Sequence, residues 1–433
     1  MRAVRIAFLS AGTRGDVQPM IAIGDELVRR GHEVVVAVNS DLAPWVRRAG
    51  LEAVPTGTDI GRFLGSEEGR AMLARGRAMT AIRRIAADER RVNGTITEAC
   101  RAAASGADLI LTTLTMGLRG FYLEEALGIP SRILYSFPIQ PTGDFTSSIM
   151  PRVRDFRVPW ANRTSSRVLN QLYWLQNKAN LDELCDAMGV PRVRRLPRQE
   201  DWPALHLYSR HVVPVPSDLP ARHELVGWPV LGAALRERLG EGVVDAELDA
   251  WLDAGTPPVY FGFGSIPVLS PEETLRSLAE VTARLGVRGL VGVGWSDLGR
   301  FAGDLPEHLY VARSDFDHDR VLPRCRAAVH HGGAGTTASA LRAGLPAVVA
   351  SVYADQPFWG WRVERLGAGV TLPFRTLTPD RLHRALGRVL DPACRSRAQA
   401  IGDALRKEDA VALTADLVER WGPGRPVRTS AHS

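Results

Sequence analysis

The stretch HHGGAGTTASALRAGLPAVVASVYADQPFWG, residues 330–360, decides the fold of the chain. The apolar residues 327–329 before it are typical of the end of a buried strand, and a second apolar run covers residues 347–352. Between them the sequence GGAG permits a tight turn, because glycine adopts backbone angles that are forbidden to other residues. An alanine-rich helix is predicted to begin at Thr336 and to stop at Gly344. The stretch therefore predicts a β–α–β unit of a parallel sheet.

The glycine turn at the start of that helix predicts an anion site. Free N–H groups point out of a helix N-terminus, where the helix dipole also favours negative charge. His331 adds a donor that can also be cationic. A diphosphate suits the turn, since several of its oxygens can accept hydrogen bonds at once. The alternative is a glycine-rich turn that binds nothing, but the paired histidines before it and Asp355–Gln356 after the next strand favour binding.

Two other phosphate-binding patterns fit this turn less well. A Walker loop requires a lysine directly after its glycines, and no lysine follows this turn. The dinucleotide fingerprint GxGxxG is also absent from it.

HHGGAGTT and DQPFWG together resemble the donor-binding region of the inverting GT-B glycosyltransferases of the UDP-glucuronosyl/glucosyltransferase family. The similarity extends over nearly the whole chain and is greatest to the branch of sterol and bacterial antibiotic glycosyltransferases. It implies two doubly wound, Rossmann-like α/β domains that face each other across a cleft. It also implies transfer of a sugar from a UDP- or TDP-hexose to a hydroxyl of a small, partly apolar acceptor, such as a natural-product aglycone or a sterol.

The resemblance assigns the donor-binding residues. The diphosphate would be held by one side chain and a run of backbone amides, namely His331, Gly333, Ala334, Gly335 and Thr336. Asp355 and Gln356 would bind hydroxyls of the donor sugar. The nucleotide base would contact the loop that carries Phe316 and His318, although this loop lacks the Pro and Trp of the family pattern, which leaves the base open.

A second turn of small residues follows the predicted strand at residues 258–263. Its residues Gly264 and Ser265 could face the diphosphate from the other side of the cleft.

Near the N-terminus, the apolar strand at residues 4–10 is followed by the loop GTRGDVQP. Ligands of parallel sheets bind beyond the carboxyl ends of the strands, so Asp16 in this loop is predicted to face the cleft. From the residues alone, the favoured interpretation of Asp16 is a solvated loop residue or a cap of the following helix. The resemblance implies that it is the general base that takes the proton from the acceptor hydroxyl, although many relatives use His there. Thr13 and Arg14 beside it would contact the acceptor.

Residues 138–172 are predicted to be irregular and are rich in aromatic side chains. Such a segment is either core or lid, or it forms a pocket for a bulky, partly apolar acceptor. Phe145 and Trp160 are the candidate acceptor contacts in it.

Asp315, Asp317 and Asp319 alternate as in the metal site of another glycosyltransferase fold, GT-A. Carboxylates at this spacing can bind Mg²⁺. In GT-B enzymes, however, a helix terminus and side chains neutralise the leaving diphosphate, which leaves a metal little to do. We therefore predict no metal and no cofactor, with the nucleotide sugar acting as co-substrate.

Proline-rich sequence suggests where the chain divides. A strand at residues 205–209 is predicted to end an acceptor-binding domain of residues 1–213, and residues 214–228 form a linker. The nucleotide-sugar-binding domain covers residues 229–433, and its last helix, about residues 397–421, is expected to pack back on the first domain.

Composition bounds the remaining possibilities. The 433 residues carry a formal net charge of +6, but no basic cluster with interleaved aromatic residues predicts nucleic-acid binding. No apolar run is long enough to span a membrane, and the N-terminal run is too short for a signal peptide. The four cysteines show no metal or disulfide spacing and are predicted to be reduced thiols. We therefore expect a cytoplasmic protein whose partners are a nucleotide sugar and a small acceptor.

Two alternative functions share this architecture. A nucleotide-sugar 2-epimerase needs no acceptor pocket, and the GTRGD loop and the aromatic segment argue against it. A non-catalytic activator of a glycosyltransferase would not need intact HHGGAGTT and Asp-Gln motifs.

Overall fold

The structure is a computed structural model. It describes residues 3–74, 78–150, 156–196, 198–241, 244–262, 271–292, 305–312 and 316–421. Within them, two parallel sheets are each covered by helices. The predicted architecture of two doubly wound sheets is thereby confirmed.

The first sheet has seven strands in the order β3-β2-β1-β4-β5-β6-β7. Its strands are β1 (Arg5–Leu9), β2 (Glu33–Val38), β3 (Glu52–Pro55), β4 (Leu109–Thr113), β5 (Ser131–Tyr135), β6 (Ala204–His206) and β7 (His223–Leu225). The helices along this part of the chain are α1 (Arg14–Arg29), α2 (Ala43–Arg48), α3 (Ile60–Gly65), α4 (Glu67–Ala74), α5 (Ala78–Arg91), α6 (Asn93–Ala104), α7 (Leu114–Leu127) and α8 (Pro159–Met188).

The second sheet has six strands in the order β10-β9-β8-β11-β12-β13. They are β8 (Val259–Gly262), β9 (Gly289–Val291), β10 (Leu309–Val311), β11 (Ala327–His330), β12 (Ala347–Ser351) and β13 (Gly369–Pro373). The helices of the rest of the chain are α9 (Ala233–Leu239), α10 (Ala246–Asp253), α11 (Pro271–Leu285), α12 (His318–Val321), α13 (Ala334–Arg342), α14 (Gln356–Arg365), α15 (Pro379–Val389), α16 (Pro392–Leu405) and α17 (Ala410–Trp421).

The strand order places the ligand-binding edges. All neighbouring strands are parallel, and the order in which strands are added to the sheet reverses between β1 and β4 in the first sheet and between β8 and β11 in the second. Loops diverge at such switch points and leave a crevice at the carboxyl ends of the strands. Asp16 lies in the first turn of α1, which follows β1, and His331 lies directly after β11, so both lie at a switch point.

Two elements differ from the expected division of the chain. Residues 205–209 were expected to hold the last strand of the first sheet, but β7 adds a further strand inside the predicted linker. Helix α9, which follows that linker, packs with Leu235 and Leu239 against the apolar cluster around β1 and α1. The sequence did not predict β7, because this strand has only three residues and its middle one is an exposed glutamate, so it forms no apolar run.

The last helix also packs on the first sheet. Leu417 and Val418 of α17 join the cluster around β1 and α1. Arg30 of α1 forms ion pairs with Asp416 at 2.6 Å and Glu419 at 3.1 Å. The chain therefore crosses between its two halves a second time after the second sheet is complete.

The segment predicted to be irregular contains the start of the 30-residue helix α8. Its buried face begins with Asn162, Ser166 and Asn170, spaced by four residues, and only then reaches Trp174. Because that face is polar over its first turns, an apolar periodicity could not predict the helix. The expectation of irregular chain up to residue 172 was therefore wrong from Pro159 onward.

Candidate functional site

Asp16 is the third residue of α1 and caps the start of that helix. Its Oδ2 accepts hydrogen bonds from the backbone N–H of Thr13 at 2.8 Å and from the Thr13 hydroxyl at 3.2 Å. The carboxylate therefore reaches back to the N-cap residue, as in a capping box. Gly12, at φ +138°, is required beside it, because a Cβ there would overlap the carboxylate. The helix-cap interpretation of Asp16 is thus correct, and it leaves Oδ1 to the cleft.

The environment of Asp16 also changes its acidity. Burial raises the pKa of Asp16, and the hydrogen bonds from Thr13 only partly oppose this effect. A carboxylate that is partly desolvated is a stronger proton acceptor than one in water.

Asp16 lines a cavity of about 220 Å³ between α3, α5, α8 and the second half of the chain. One wall is apolar and is formed by Ile60, Leu64, Ala81 and Ile85. The polar side chains of the lining include Glu89, Thr115, Tyr173, Gln176, Asn177 and Tyr353. Such a cavity suits a small molecule with an apolar skeleton and several polar groups.

The glycine turn after β11 is built by close approach of its neighbours. Nδ1 of the fully buried His330 accepts the N–H of Gly332 at 3.0 Å. The ring of His331 lies over Gly333, where a Cβ would come within 2.6 Å of Nε2. Helix α13 begins directly afterwards at Ala334. Its first N–H groups have no partner within the helix and can serve an anion.

The charge of His331 differs from the expectation. Burial lowers the pKa of His331 to about 4, although a hydrogen bond involving Gly262 opposes the shift. The side chain is therefore neutral near pH 7 and supplies a hydrogen bond rather than a charge. Desolvation of the ring thus opposes the cationic form, whereas the negative charge of a diphosphate beside it would favour that form.

The N-termini of α1 and α13 approach each other across the cleft. A small cavity of about 80 Å³ lies between them, lined by Gly15 and Gln18 from α1 and by Ala334, Gly335 and Ser339 from α13. The first turns of α1 and α13 therefore border the same space, where positive helix ends favour negative charge but Asp319 and Glu408 also line the cavity.

Asp355 and Gln356 are held at the start of α14 by different contacts. The Gln356 side-chain carbonyl accepts the N–H groups of Val352 at 2.8 Å and Tyr353 at 3.2 Å, which fixes the turn before the helix. Asp355 Oδ2 accepts the indole N–H of the buried Trp359 at 2.7 Å. Burial raises the pKa of Asp355 to about 7, and the negative charge of Asp16 adds to the shift. The carboxylates of Asp16 and Asp355 therefore influence each other across the cleft.

The acidity of Asp355 gives a first testable prediction. Its folded pKa lies above the ordinary value of 3.8, so ionised Asp355 reduces stability as the pH rises from 3.8 towards about 7. Asp355→Asn keeps an acceptor for Trp359 but removes this charge. We expect a higher melting temperature than wild type at about pH 8 and a smaller difference at about pH 5. Equal shifts at both pH values would contradict the origin assigned to the effect.

The loop expected to meet the nucleotide base forms an aromatic cluster with β8. The Tyr260 hydroxyl lies 3.0 Å from His318 Nε2, and the Phe316 and His318 rings are 5.3 Å apart. Phe316 is only 7% exposed and packs edge-on against Tyr260, so it supports the cluster from beneath while His318 is half-buried. Gly264, Ser265 and Asp315 lie outside the described residues.

The two described aspartates of the alternating run have structural partners. Asp317 caps α12 by accepting the N–H of Asp319 at 2.9 Å. Arg236 of α9 lies 3.5 Å from Asp317 and 3.0 Å from Asp319. In the described part of the chain, no group of three or more His, Cys, Asp or Glu side chains could hold a metal ion.

The four expected acceptor contacts have different positions. Thr13 lines the 220 Å³ cavity. Arg14 instead forms an ion pair with Glu241 at 2.5 Å and stacks over Trp45. Phe145 is buried against Phe358, and Trp160 is 69% exposed at the start of α8. Arg14, Phe145 and Trp160 do not line this cavity, because tertiary contacts hold Arg14 and Phe145 elsewhere and Trp160 is exposed to solvent.

Sequence reasoning missed Glu89, Tyr173 and Tyr353, which do line the cavity. Tyr353 lies between the two motifs of the glycine-turn stretch, and it packs against the α3–α5 region from the second half of the chain. Its position next to Asp355 was the only local signal that could have drawn attention to it.

Comparisons with known proteins agree with this geometry. Residues 6–114 match the glycosyltransferase family 28 N-terminal domain. Residues 304–415 match the C-terminal domain of erythromycin biosynthesis protein CIII-like proteins. A sterol 3-beta-glucosyltransferase of Arabidopsis thaliana is 30% identical over 97% of this chain and 68% of its own length. The chain belongs to the GT-B glycosyltransferases.

Solved structures of glycosyltransferases share the fold. The glycosyltransferase of kitacinnamycin superposes with a TM-score of 0.69 at 25% identity, over 98% of this chain and all of the other. The glycosyltransferase VinC, solved with dTDP, superposes with a TM-score of 0.64 at 20% identity, over 96% of this chain and all of the other. The resemblance, the GT-B fold and the assignment as a glycosyltransferase are thereby confirmed. These relatives give no support to an epimerase or a non-catalytic activator.

Among the helices that the structure describes, none is long and apolar enough to cross a bilayer.

Proposed function

We propose that this glycosyltransferase moves a hexose from a nucleoside diphosphate sugar to a hydroxyl of a small, partly apolar acceptor, with inversion at the anomeric carbon. The observations that carry the proposal are that the first turns of α1 and α13 border one small cavity, and that Asp16, in the first turn of α1, interacts electrostatically with Asp355. An anion site, a candidate base and candidate sugar-binding groups then lie in one cleft.

The donor occupies the half built on the second sheet. The diphosphate accepts hydrogen bonds from His331 and from the backbone of Gly333, Ala334, Gly335 and Thr336. Asp355 and Gln356 bind the sugar hydroxyls, and His318 and the segment at Gly264 and Ser265 contact the nucleotide. UDP is our first choice of nucleotide, and the dTDP bound to VinC makes TDP the one to test beside it.

The acceptor occupies the half built on the first sheet. Asp16 takes the proton from the acceptor hydroxyl, and the oxygen attacks the anomeric carbon from the face opposite the diphosphate. Negative charge that develops on the leaving diphosphate is stabilised by donors already in place. Sterols, as named for the plant relative, and antibiotic-type aglycones are the acceptor classes to screen.

The proposal is tested by binding and by product analysis. Calorimetry with UDP and TDP should show saturable binding of at least one nucleotide. Mass spectrometry should then detect hexose added to an aglycone, and NMR of the product should show the anomeric configuration opposite to that of the donor. Absence of nucleotide binding, or retention of configuration, would refute it.

We further propose that transfer needs no metal and takes place in the cytoplasm. Asp317 and Asp319 are engaged by Arg236, and helix termini are available for the diphosphate charge.

The expected result is that EDTA changes the transfer rate by less than about twofold, because helix termini and side chains already neutralise the diphosphate. A magnesium-dependent kinase in the same buffer serves as the control that chelation is complete. A strict requirement for added Mg²⁺ would contradict this prediction and would indicate that the aspartate-rich loop is a metal site.

A further inference from the structure

Glu89 has an unusual position among the polar side chains that line the acceptor cavity. It lies on α5 and is half-buried, and its carboxylate has no hydrogen bond or ion pair to any other side chain that the structure describes. A carboxylate held out of water without a donor is costly, and the cost is relieved when a ligand supplies one.

The positive charge of Arg119 favours the ionised form of Glu89. Arg119 of α7 is buried, and its guanidinium donates to Asn93 Oδ1 and to Thr97 Oγ1, the latter at 3.3 Å. Both partners are uncharged, and the structure shows no ion pair of Arg119 within the described residues. Burial raises the pKa of Glu89, whereas the positive charge of Arg119 lowers it. The positive charge of Arg119 thus stabilises the ionised form of Glu89, and the Glu89 oxygens remain available to accept hydrogen bonds from a ligand.

The cavity has an acidic character overall. Asp16 and Glu89 both line it, and the described lining residues include no Lys, Arg or His. An acceptor with a carboxylate would therefore be repelled, whereas a neutral or cationic molecule with hydrogen-bond donors would be favoured.

We propose that Glu89 is a specificity-determining residue that accepts a hydrogen bond from a second donor group, a hydroxyl or an ammonium, of the acceptor. The acceptor presents its attacking hydroxyl to Asp16, its apolar skeleton to Ile60, Leu64 and Ile85, and this second donor to Glu89. Substrates of this class have at least two donors and no carboxylate. The inference rests on the proposed function and narrows its acceptor class.

The test uses a matched pair of steroids as probes. Dehydroepiandrosterone and the androstenediol formed by reduction of its ketone have the same skeleton and the same attacking hydroxyl. They differ in one group at the other end, which is a hydroxyl donor in the diol and a pure acceptor in the ketone. The kcat/KM for each, with a saturating nucleotide sugar, is measured for wild type, Glu89→Gln and a control, Glu98→Gln. Glu98 is exposed on the neighbouring helix α6, where it pairs with Arg101.

Wild type and Glu98→Gln should prefer the diol by about tenfold to a hundredfold, the range of a hydrogen bond to a charged group. Glu89→Gln should abolish or reverse the preference, because its amide can donate to the ketone. A merely structural role of Glu89 would lower both values together and leave their ratio unchanged.

Other outcomes separate this inference from the function on which it depends. If neither UDP nor TDP binds, the proposed function itself fails. If a nucleotide binds but both steroids react equally, or neither steroid binds, the role of Glu89 is wrong while the donor site stands. An unchanged ratio in Glu89→Gln also overturns that role.

Discussion

Asp16→Asn should reduce glycosyl transfer by about 10²–10⁴-fold, the usual contribution of a general base, while leaving nucleoside diphosphate affinity unchanged. The asparagine Oδ1 can still accept the N–H of Thr13, which lies 2.8 Å from the aspartate oxygen in the native protein. The helix cap is therefore kept and only the proton acceptor is lost. Initial rates by mass spectrometry and calorimetry with UDP or TDP give the two measurements.

Two further variants separate catalysis from folding. Asp16→Ala removes both the base and the capping acceptor, and should also lower stability by about 0.3–1 kcal/mol. Asp25→Asn lies on the same helix, where Asp25 pairs with Arg238, and should leave the rate near that of wild type. Equal transfer by Asp16→Asn and wild type would remove Asp16 from the mechanism.

The pH dependence of the reaction should report the same group. A general base must be ionised, so kcat/KM should rise with pH through the pKa of Asp16, which burial raises above its ordinary value. In Asp16→Asn the contribution of Asp16 to this limb of the profile should disappear. Because Asp355 titrates close by, the limb belongs to the pair rather than to one carboxylate.

His331→Ala should have the second-largest effect and should act on the donor side. Removal of a preorganised donor to developing charge lowers the rate by about 10²–10³-fold in other enzymes. The nucleoside diphosphate should also bind about tenfold more weakly, because a hydrogen bond to a charged group is lost. Burial lowers the pKa of His331 to about 4, which favours a neutral hydrogen-bond donor over a positive charge.

The matched control for this variant is His383→Ala on α15, a helix on the second sheet. That change should leave nucleotide affinity as in wild type. Glutamine at position 331 keeps an N–H donor and should recover part of the affinity. Calorimetry that gave His331→Ala the affinity of wild type would exclude His331 from the diphosphate site.

The fold could be predicted because its elements are encoded locally. The apolar runs that became β1, β2, β8, β11 and β12 are buried on both faces, and such strands show as continuous apolar sequence. The strand β7 and the first turns of α8 could not be predicted in this way. The former is three residues long, and the latter buries Asn162, Ser166 and Asn170 rather than apolar side chains.

Part of the candidate site could likewise be predicted from local sequence, and part of it could not. The glycine turn, His331, Asp355 and Asp16 each lie between a strand and the first turn of the helix that follows it, so their place at the cleft follows from parallel-sheet topology. The acceptor cavity does not follow a strand end. It is assembled from α3, α5, α8 and Tyr353, which are distant in sequence.

The sequence by itself determined two parallel sheets, the glycine turn that opens α13 and the carboxylate at the start of α1, since strand burial and helix termini depend on neighbouring residues. Only the tertiary structure decided which side chains meet in the acceptor cavity. It paired Arg14 with Glu241, buried Phe145 against Phe358 and left Glu89 without a partner among the described residues. Those outcomes depend on contacts between segments hundreds of residues apart, and no local pattern records such contacts.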